Sequence, residues 1–375
     1  MNLVFSYQRL CIFFSFVGFM IYYVFKSMPV IEKGENGTFD IEKQVWCLYL
    51  GVFGNPVKDG RWVHWRIRLN KYYGDYFEPP GRLGTFLYPQ MGLYSSHDIS
   101  TLRHHCSMMK EAGIDSVILQ WWGTNSSEEL DEDAEGFSDK TFALLLDVVG
   151  EFGLKAGIQI QPYNGRSNSS LASDIMYILT NYSTHESYLK VGGRPVIIVY
   201  EPHGIEGVNA VQSVFKDRAF MIASIIDKEH IGFALEDGFD GIYTYFASEG
   251  STWGSNISNW NIISSDCQTR GLVFIPAVAP GYNDEKINHW GRGSKRNRES
   301  GRYYERMWNG AIDVNPSIVV INSFNHWYEG SMIEPAISRS GMEFSDDSWS
   351  GKKGNPEDFL LLTKNNVDKF KNDNK

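Results

Sequence analysis

The sequence predicts an α/β protein in which a (β/α)8 TIM-like barrel follows a single amino-terminal membrane-anchor helix. Eight short apolar or β-branched runs alternate with segments of helical periodicity, which is typical of a parallel barrel. The chain has 375 residues, 42% of them hydrophobic, so one barrel domain can bury a large core. Ahead of these runs, residues 10–25 form an apolar stretch without a charge.

The apolar stretch is flanked by Arg9 and Lys26 and is just short of the roughly 17 to 25 residues that usually span a membrane. A signal peptide is the alternative, but no small-residue cleavage site follows, so an uncleaved anchor is favoured. The charge difference across the stretch is too small to set its orientation. The segment before the apolar stretch is short and the domain after it is large, which predicts a single-pass type II protein. It would consist of a cytoplasmic tail and anchor (1–26), a stem (27–43) and a luminal barrel domain (44–375).

The barrel strands and helices follow in order along the chain. The predicted strands cover residues 45–53, 116–122, 155–161, 195–200, 219–225, 241–246, 272–278 and 318–321. Asp98 is predicted to cap the first long helix, and Ser138 the second. Further helices are predicted at residues 171–182, 302–314 and 356–370.

Charge and motif content exclude several classes of function. The formal net charge is -10 without a basic patch, which argues against a nucleic-acid partner. The sequence has no phosphate-binding glycine loop, no H-E-x-x-H and no paired C-x-x-C, so neither a cofactor nor a metal is predicted. Outside the apolar stretch, Cys47, Cys106 and Cys267 allow one disulfide at most.

Five sequons for N-glycosylation are consistent with a luminal domain. They begin at Asn36, Asn125, Asn168, Asn181 and Asn256, and none has proline at its middle position. Chance alone supplies about three such motifs in a chain this rich in Asn and Ser, so the sequons support the compartment only weakly.

The segment after the eighth predicted strand concentrates polar and aromatic side chains where the strand should stop. In a parallel barrel the carboxyl ends of the strands line the catalytic mouth, so Asn325, His326 and Glu329 are expected to face a ligand. The alternative is a polar loop after a buried strand.

With three other segments, this one resembles the glycoside hydrolase family of glycoprotein endo-α-1,2-mannosidases, the Golgi enzymes of glycoprotein processing. The segments are Asn322-Ser323-Phe324-Asn325-His326-Trp327-Tyr328-Glu329-Gly330, Asp240-Gly241-Ile242-Tyr243-Thr244-Tyr245-Phe246-Ala247, Tyr88-Pro89-Gln90-Met91-Gly92-Leu93-Tyr94-Ser95-Ser96 and Pro280-Gly281-Tyr282. The resemblance covers most of the chain after the stem. It implies a Golgi-membrane enzyme that trims glucosylated high-mannose N-glycans on glycoproteins with net retention, without a cofactor.

The resemblance also implies roles for individual residues, and two of them depart from the family pattern. Glu329 aligns with the residue that is the general acid of the family. His326 falls on a family Glu, the base that helps the 2-hydroxyl of the substrate attack the anomeric carbon. Gln161, in Gln159-Ile160-Gln161-Pro162-Tyr163, falls on the Glu of the family's His-Ile-Glu-Pro-Tyr.

Losing a charged group of this kind typically costs about 3 to 4 kcal/mol of transition-state stabilisation. The alternative function is therefore a catalytically impaired glycan-binding paralogue. The imidazole of His326 argues against impairment, because an imidazole with the ordinary pKa of about 6.5 has a neutral fraction that can accept a proton. Its ring places the nitrogen differently from a Glu oxygen, however, and about 1 Å of misplacement can cost two orders of magnitude in rate.

Other positions are implied to bind substrate, and for the aromatic ones packing inside the barrel is the alternative. They are Gln161, Tyr163, Tyr245, Tyr282, Trp290 and Asn325. Glu201, at the end of the fourth predicted strand, is a candidate for restoring lost charge, although a surface position before Pro202 is the favoured interpretation.

Overall fold

The barrel that the sequence predicts is present in the computed structural model, which describes residues 41–70, 73–125, 135–287, 294–337 and 355–373. Its strands are parallel and each pairs with the next along the chain. They are β1 (Gln44–Leu50), β2 (Ser116–Trp121), β3 (Lys155–Ile160), β4 (Arg194–Val199), β5 (Phe220–Ile225), β6 (Gly241–Thr244), β7 (Val273–Ile275 and Ala277–Val278) and β8 (Ile318–Ile321).

Strand β7 closes the barrel by changing partner at Pro276. Its first half pairs with β6, in the register Gly241↔Val273, and its second half pairs with β8, in the register Ala277↔Val320. Proline cannot donate to a ladder, and here its carbonyl accepts from the Val320 N–H at 3.0 Å. Since β8 also pairs with β1, every barrel strand has two neighbours.

Helices follow the strands and cover the barrel. They are α1 (Ile99–Glu111), α2 (Phe137–Glu151), α3 (Asn168–Asn181), α4 (Val208–Phe215), α5 (His230–Glu236), α6 (Trp260–Arg270), α7 (Arg302–Asp313) and α8 (Asp358–Asn372). Asp98 caps α1 as predicted, by accepting from the Ser100 N–H. The predicted cap at Ser138 is wrong: left-handed Gly136 begins α2, and the Ser138 hydroxyl accepts from the Trp122 N–H instead.

Side chains alternate along the strands and so build two apolar layers. One layer fills the barrel interior and includes Trp46, Leu48 and Tyr243. The other lies between strands and helices and includes Cys47 and Trp308. Short antiparallel pairs lie outside the barrel: Arg68–Asn70 with Tyr73–Tyr76, Tyr88–Pro89 with Ala336–Ile337, Tyr282–Asn283 with Lys295–Arg296, and Lys190–Val191 with β4.

The three cysteines of the barrel are buried free thiols, so no disulfide forms among them. Burial raises the pKa of each thiol. Within the described ranges, no helix is both long enough and apolar enough to span a membrane. The predicted anchor, the stem up to residue 40 and the sequon at Asn36 lie outside the described residues.

The asparagines of the other four sequons lie in described parts of the chain. Asn125, Asn168 and Asn181 are exposed, whereas Asn256 is half-buried and its side-chain oxygen caps a short 3-10 helix. Glycosylation at these positions stays a prediction.

Candidate active site

The mouth of the barrel is lined by side chains that follow the strand ends. Gln161 comes after β3, Tyr200 after β4 and Tyr245 after β6. The rings of Tyr200 and Tyr245 meet edge to face, with their centroids 4.6 Å apart. These positions fit the rule that the carboxyl ends of parallel strands carry the chemistry of a barrel.

His326 and Glu329 lie side by side on the turn after β8. The imidazole Nε2 is 3.7 Å from a Glu329 carboxylate oxygen, and the side chains are 14% and 18% exposed. The Ser323 hydroxyl accepts from the His326 N–H at 2.8 Å, and the Glu329 carbonyl accepts from the Asn283 N–H at 2.7 Å. The turn is thereby tied to β8 and to the loop after β7.

The imidazole of His326 is neutral at any physiological pH. Burial lowers its pKa to about 3, and the nearby His64 ring adds to this effect. The Glu329 carboxylate oxygen, at 3.7 Å, lies beyond hydrogen-bond distance, and burial is the largest effect on the pKa of His326. His326 can therefore accept a proton at almost every pH, but a group with so low a pKa is a weak base.

Gln161 offers a polar group to a ligand. Its side chain is buried, and no hydrogen-bond acceptor for its Nε2 is found among the residues that the structure describes. Leaving a buried donor without a partner typically costs about 1 to 3 kcal/mol, which a sugar hydroxyl at this place would relieve. Gln159, one layer deeper, donates instead to the Tyr243 hydroxyl at 2.6 Å.

Three phenols stand near Glu329. Burial raises the pKa of Tyr200, Tyr245 and Tyr282, and the Glu329 carboxylate raises each of them further. The Tyr282 hydroxyl donates to Asp284 at 3.1 Å. The structure thus brings predicted Tyr245 and Tyr282 to the predicted acid, and it adds Tyr200, which was not predicted from the sequence although it directly follows β4.

Asn325 makes its hydrogen bonds within the protein. It is fully buried; its side-chain oxygen accepts from the Leu50 N–H at 2.7 Å, and its Nδ2 donates to the Leu50 carbonyl at 3.0 Å and to the Tyr94 hydroxyl at 3.2 Å. Both ends of the amide are engaged within the protein, and substrate contact by Asn325 stays a prediction. Asn325 fixes the turn of His326 and Glu329 onto β1.

Tyr163 is also turned to internal contacts. Its hydroxyl donates to the Asp174 carboxylate, and its oxygen accepts from the Ser170 hydroxyl at 2.9 Å; both residues lie on α3. Burial and Asp174 raise the pKa of Tyr163 to about 12, and burial raises the pKa of Asp174 to about 6. The hydroxyl therefore anchors the loop after β3. Trp290, also predicted to bind substrate, lies outside the described residues.

A buried network supports the turn from below. The Glu334 carboxylate accepts from the Tyr94 hydroxyl at 2.8 Å and from the Trp327 indole at 3.0 Å, and lies 3.3 Å from the His105 Nε2. From the other side, buried Arg298 donates to the carbonyls of Gly330 and Met332. Within the described part of the chain, no group of three or more His, Cys, Asp or Glu side chains could hold a metal.

Comparison with known proteins gives one consistent result. The family model described as glycosyl hydrolase family 99 matches residues 40–372. The chain is 34% identical over 319 residues to the mouse glycoprotein endo-alpha-1,2-mannosidase, a match covering 78% of this chain and 68% of that protein. It is 32% identical, with the same coverage, to the human glycoprotein endo-alpha-1,2-mannosidase-like protein.

A solved structure agrees with these sequence relatives. The endo-alpha-mannosidase of this family from Bacteroides thetaiotaomicron superposes with a TM-score of 0.78 at 28% identity, and the match covers 88% of this chain and 98% of that one.

Proposed function

The chain belongs to glycosyl hydrolase family 99, and on that premise we propose that it is an endo-acting α-1,2-mannosidase that retains anomeric configuration and trims glucosylated high-mannose N-glycans on glycoproteins. The observation that carries the proposal is the juxtaposition of Glu329 with a neutral imidazole, 3.7 Å apart, at the carboxyl end of β8. One group can give a proton and the other can take one.

In the proposed reaction, Glu329 gives its proton to the glycosidic oxygen as the bond from that oxygen to the anomeric carbon breaks. His326 takes the proton of the 2-hydroxyl, whose oxygen forms the new bond to the anomeric carbon. Water then opens this 1,2-anhydro sugar, and each group reverses its role.

The second candidate is a catalytically impaired glycan-binding paralogue, and two observations favour it. The low pKa of His326, about 3, makes the imidazole a weak acceptor for a hydroxyl proton. Gln161 can hold a sugar hydroxyl but brings no negative charge to an oxocarbenium-like transition state.

An assay of the purified full-length protein with a glucosylated high-mannose glycan separates the two candidates. We expect a disaccharide to be released, with the α-anomer seen first by NMR. Release of the β-anomer would contradict retention. Binding of the glycan without any release would establish the glycan-binding paralogue instead.

We further propose that the protein is a single-pass type II membrane protein, because no small-residue cleavage site follows the apolar residues 10–25 and because Asn125, Asn168 and Asn181 are exposed. The resemblance to Golgi mannosidases leads us to place it in the Golgi membrane. We expect the protein to resist carbonate extraction, with its carboxyl-terminal domain protected from protease in sealed vesicles. A soluble form that begins near Lys26 would contradict the anchor and support a signal peptide.

A further inference from the structure

Tyr94 belongs to one of the segments that resemble the mannosidase family, and the reaction proposed above gives it no role. Tyr94 is 5% exposed, and its ring packs edge to face against Trp65 and His105, with centroids 5.3 and 4.8 Å apart. The Trp65 indole also donates to the Tyr94 carbonyl at 2.7 Å. Packing therefore fixes the direction in which the phenol hydroxyl points.

The Tyr94 hydroxyl makes three hydrogen bonds to the turn after β8 and to the residue that supports it. It donates to the Glu334 carboxylate at 2.8 Å. Its oxygen accepts from the Asn325 Nδ2 at 3.2 Å and from the Trp327 Nε1 at 3.1 Å. A hydroxyl has one proton and two lone pairs, and all three are engaged here. Tyr94 therefore acts within the protein and not as a substrate contact.

The Glu334 carboxylate sets the direction of these hydrogen bonds. A carboxylate only accepts, so the Tyr94 hydroxyl donates to it and keeps both lone pairs for Asn325 and Trp327. The same carboxylate oxygen accepts from the Trp327 Nε1 at 3.0 Å. The backbone holds Glu334 in place, because its N–H donates to the Phe324 carbonyl at 2.8 Å.

The two residues that donate to Tyr94 flank His326 in the chain, and Trp327 lies two positions before Glu329. Fixing both flanks fixes the backbone that carries the imidazole between them. All the groups in these bonds are at most 5% exposed, so water competes little for them. About 1 Å of misplacement of a catalytic group can cost two orders of magnitude in rate.

We propose, resting on the proposed function, that Tyr94 and Glu334 are positioning residues for the reaction. Together they hold the turn after β8 in the arrangement that places its acid and its base against the same sugar. The Trp327 N–H has an acceptor on each of the two residues, so loss of the Tyr94 hydroxyl leaves it one of them. Changes at Tyr94 should therefore cost less than changes at Glu334.

The test compares Tyr94→Phe with a matched control, Tyr304→Phe. Tyr304 is likewise buried, and its hydroxyl lies 3.1 Å from the Thr363 hydroxyl, between α7 and α8. Each variant loses one buried hydroxyl and keeps its ring, so the midpoint of thermal unfolding should fall by a few degrees in both. In the disaccharide-release assay, Tyr94→Phe should lower kcat by about tenfold with KM changed less than about threefold, whereas Tyr304→Phe should keep both.

Glu334→Gln is expected to have the larger effect. An amide lacks the charge that strengthens the bonds from Tyr94 and Trp327, and its NH2 group replaces one acceptor oxygen. We expect kcat to fall by about 100-fold, again with little change in KM. The double variant should lose no more than Glu334→Gln alone, because the hydroxyl and the carboxylate act as one unit. Tyr94→Phe keeps the ring and its packing, so it decides the question if Glu334→Gln does not fold.

The outcomes separate this assignment from the proposed function. If the unmodified protein releases no disaccharide, the proposed function fails and the assignment of Tyr94 and Glu334 fails with it. If the protein is active and Tyr94→Phe matches Tyr304→Phe in kcat, the two residues have no positioning role while the proposed function stands. A rise in KM with kcat unchanged would also overturn the assignment, because it would place Tyr94 in ground-state binding.

Discussion

Replacing Glu329 by glutamine is expected to abolish the cleavage of natural glycans while leaving glycan binding intact. An amide keeps the size of the side chain and its contacts on the turn after β8, but it has no proton to give to the glycosidic oxygen. A loss of about 10³-fold or more in kcat is expected, because an unactivated sugar is a poor leaving group without protonation. Disaccharide release and calorimetric binding, measured on the same preparation, separate the two effects.

Two controls sharpen this experiment. Glu285→Gln removes an exposed carboxylate from the neighbouring loop after β7 and should leave the rate unchanged. A substrate whose leaving group needs no protonation should be cleaved by Glu329→Gln much faster than the natural glycan, relative to the unmodified protein. Undiminished turnover of the natural glycan by Glu329→Gln would remove Glu329 from the mechanism.

The double substitution His326→Glu with Gln161→Glu is expected to raise kcat by about 10²-fold or more while changing glycan affinity little. Both positions are assigned to stabilising the transition state, and binding energy expressed only there appears in kcat. A carboxylate is also a stronger base than an imidazole whose pKa is about 3. The single changes should be non-additive, because both groups act on one sugar in one water-poor pocket.

The comparison needs a variant that adds charge without touching the site, and Gln268→Glu, on the exposed surface of α6, provides it. If the unmodified protein already turns over glycan at the rate of the double variant, the impaired-paralogue alternative fails and His326 is a competent base. If neither form cleaves but both bind the glycan, the glycan-binding function is correct.

The sequence was sufficient to predict features that depend on local patterns. Alternating apolar runs marked all eight barrel strands, and the segment after β8 marked His326 and Glu329 as neighbours, because a strand end fixes where the next few residues lie. The cap at Asp98 was predictable for the same reason, since the hydrogen bond is made within three residues. Ser138 shows the limit, because its hydroxyl accepts from Trp122, which lies just after β2 and 16 positions earlier in the chain.

Only the tertiary structure decided what each side chain at the mouth of the barrel faces. Asn325 and Gln161 both carry amide side chains and both follow strand ends. The backbone of β1 forms hydrogen bonds with the Asn325 amide, whereas no described residue accepts from the Gln161 Nε2. The protonation of His326 is set by burial and by His64, a residue 262 positions earlier in the chain. Likewise, Ser224 on β5 and Arg166 in the loop after β3 hydrogen-bond the backbone of Glu201, which lies in the left-handed region with φ 44°. Desolvation and hydrogen-bond partnership depend on contacts between distant segments, and these arise only when the barrel closes.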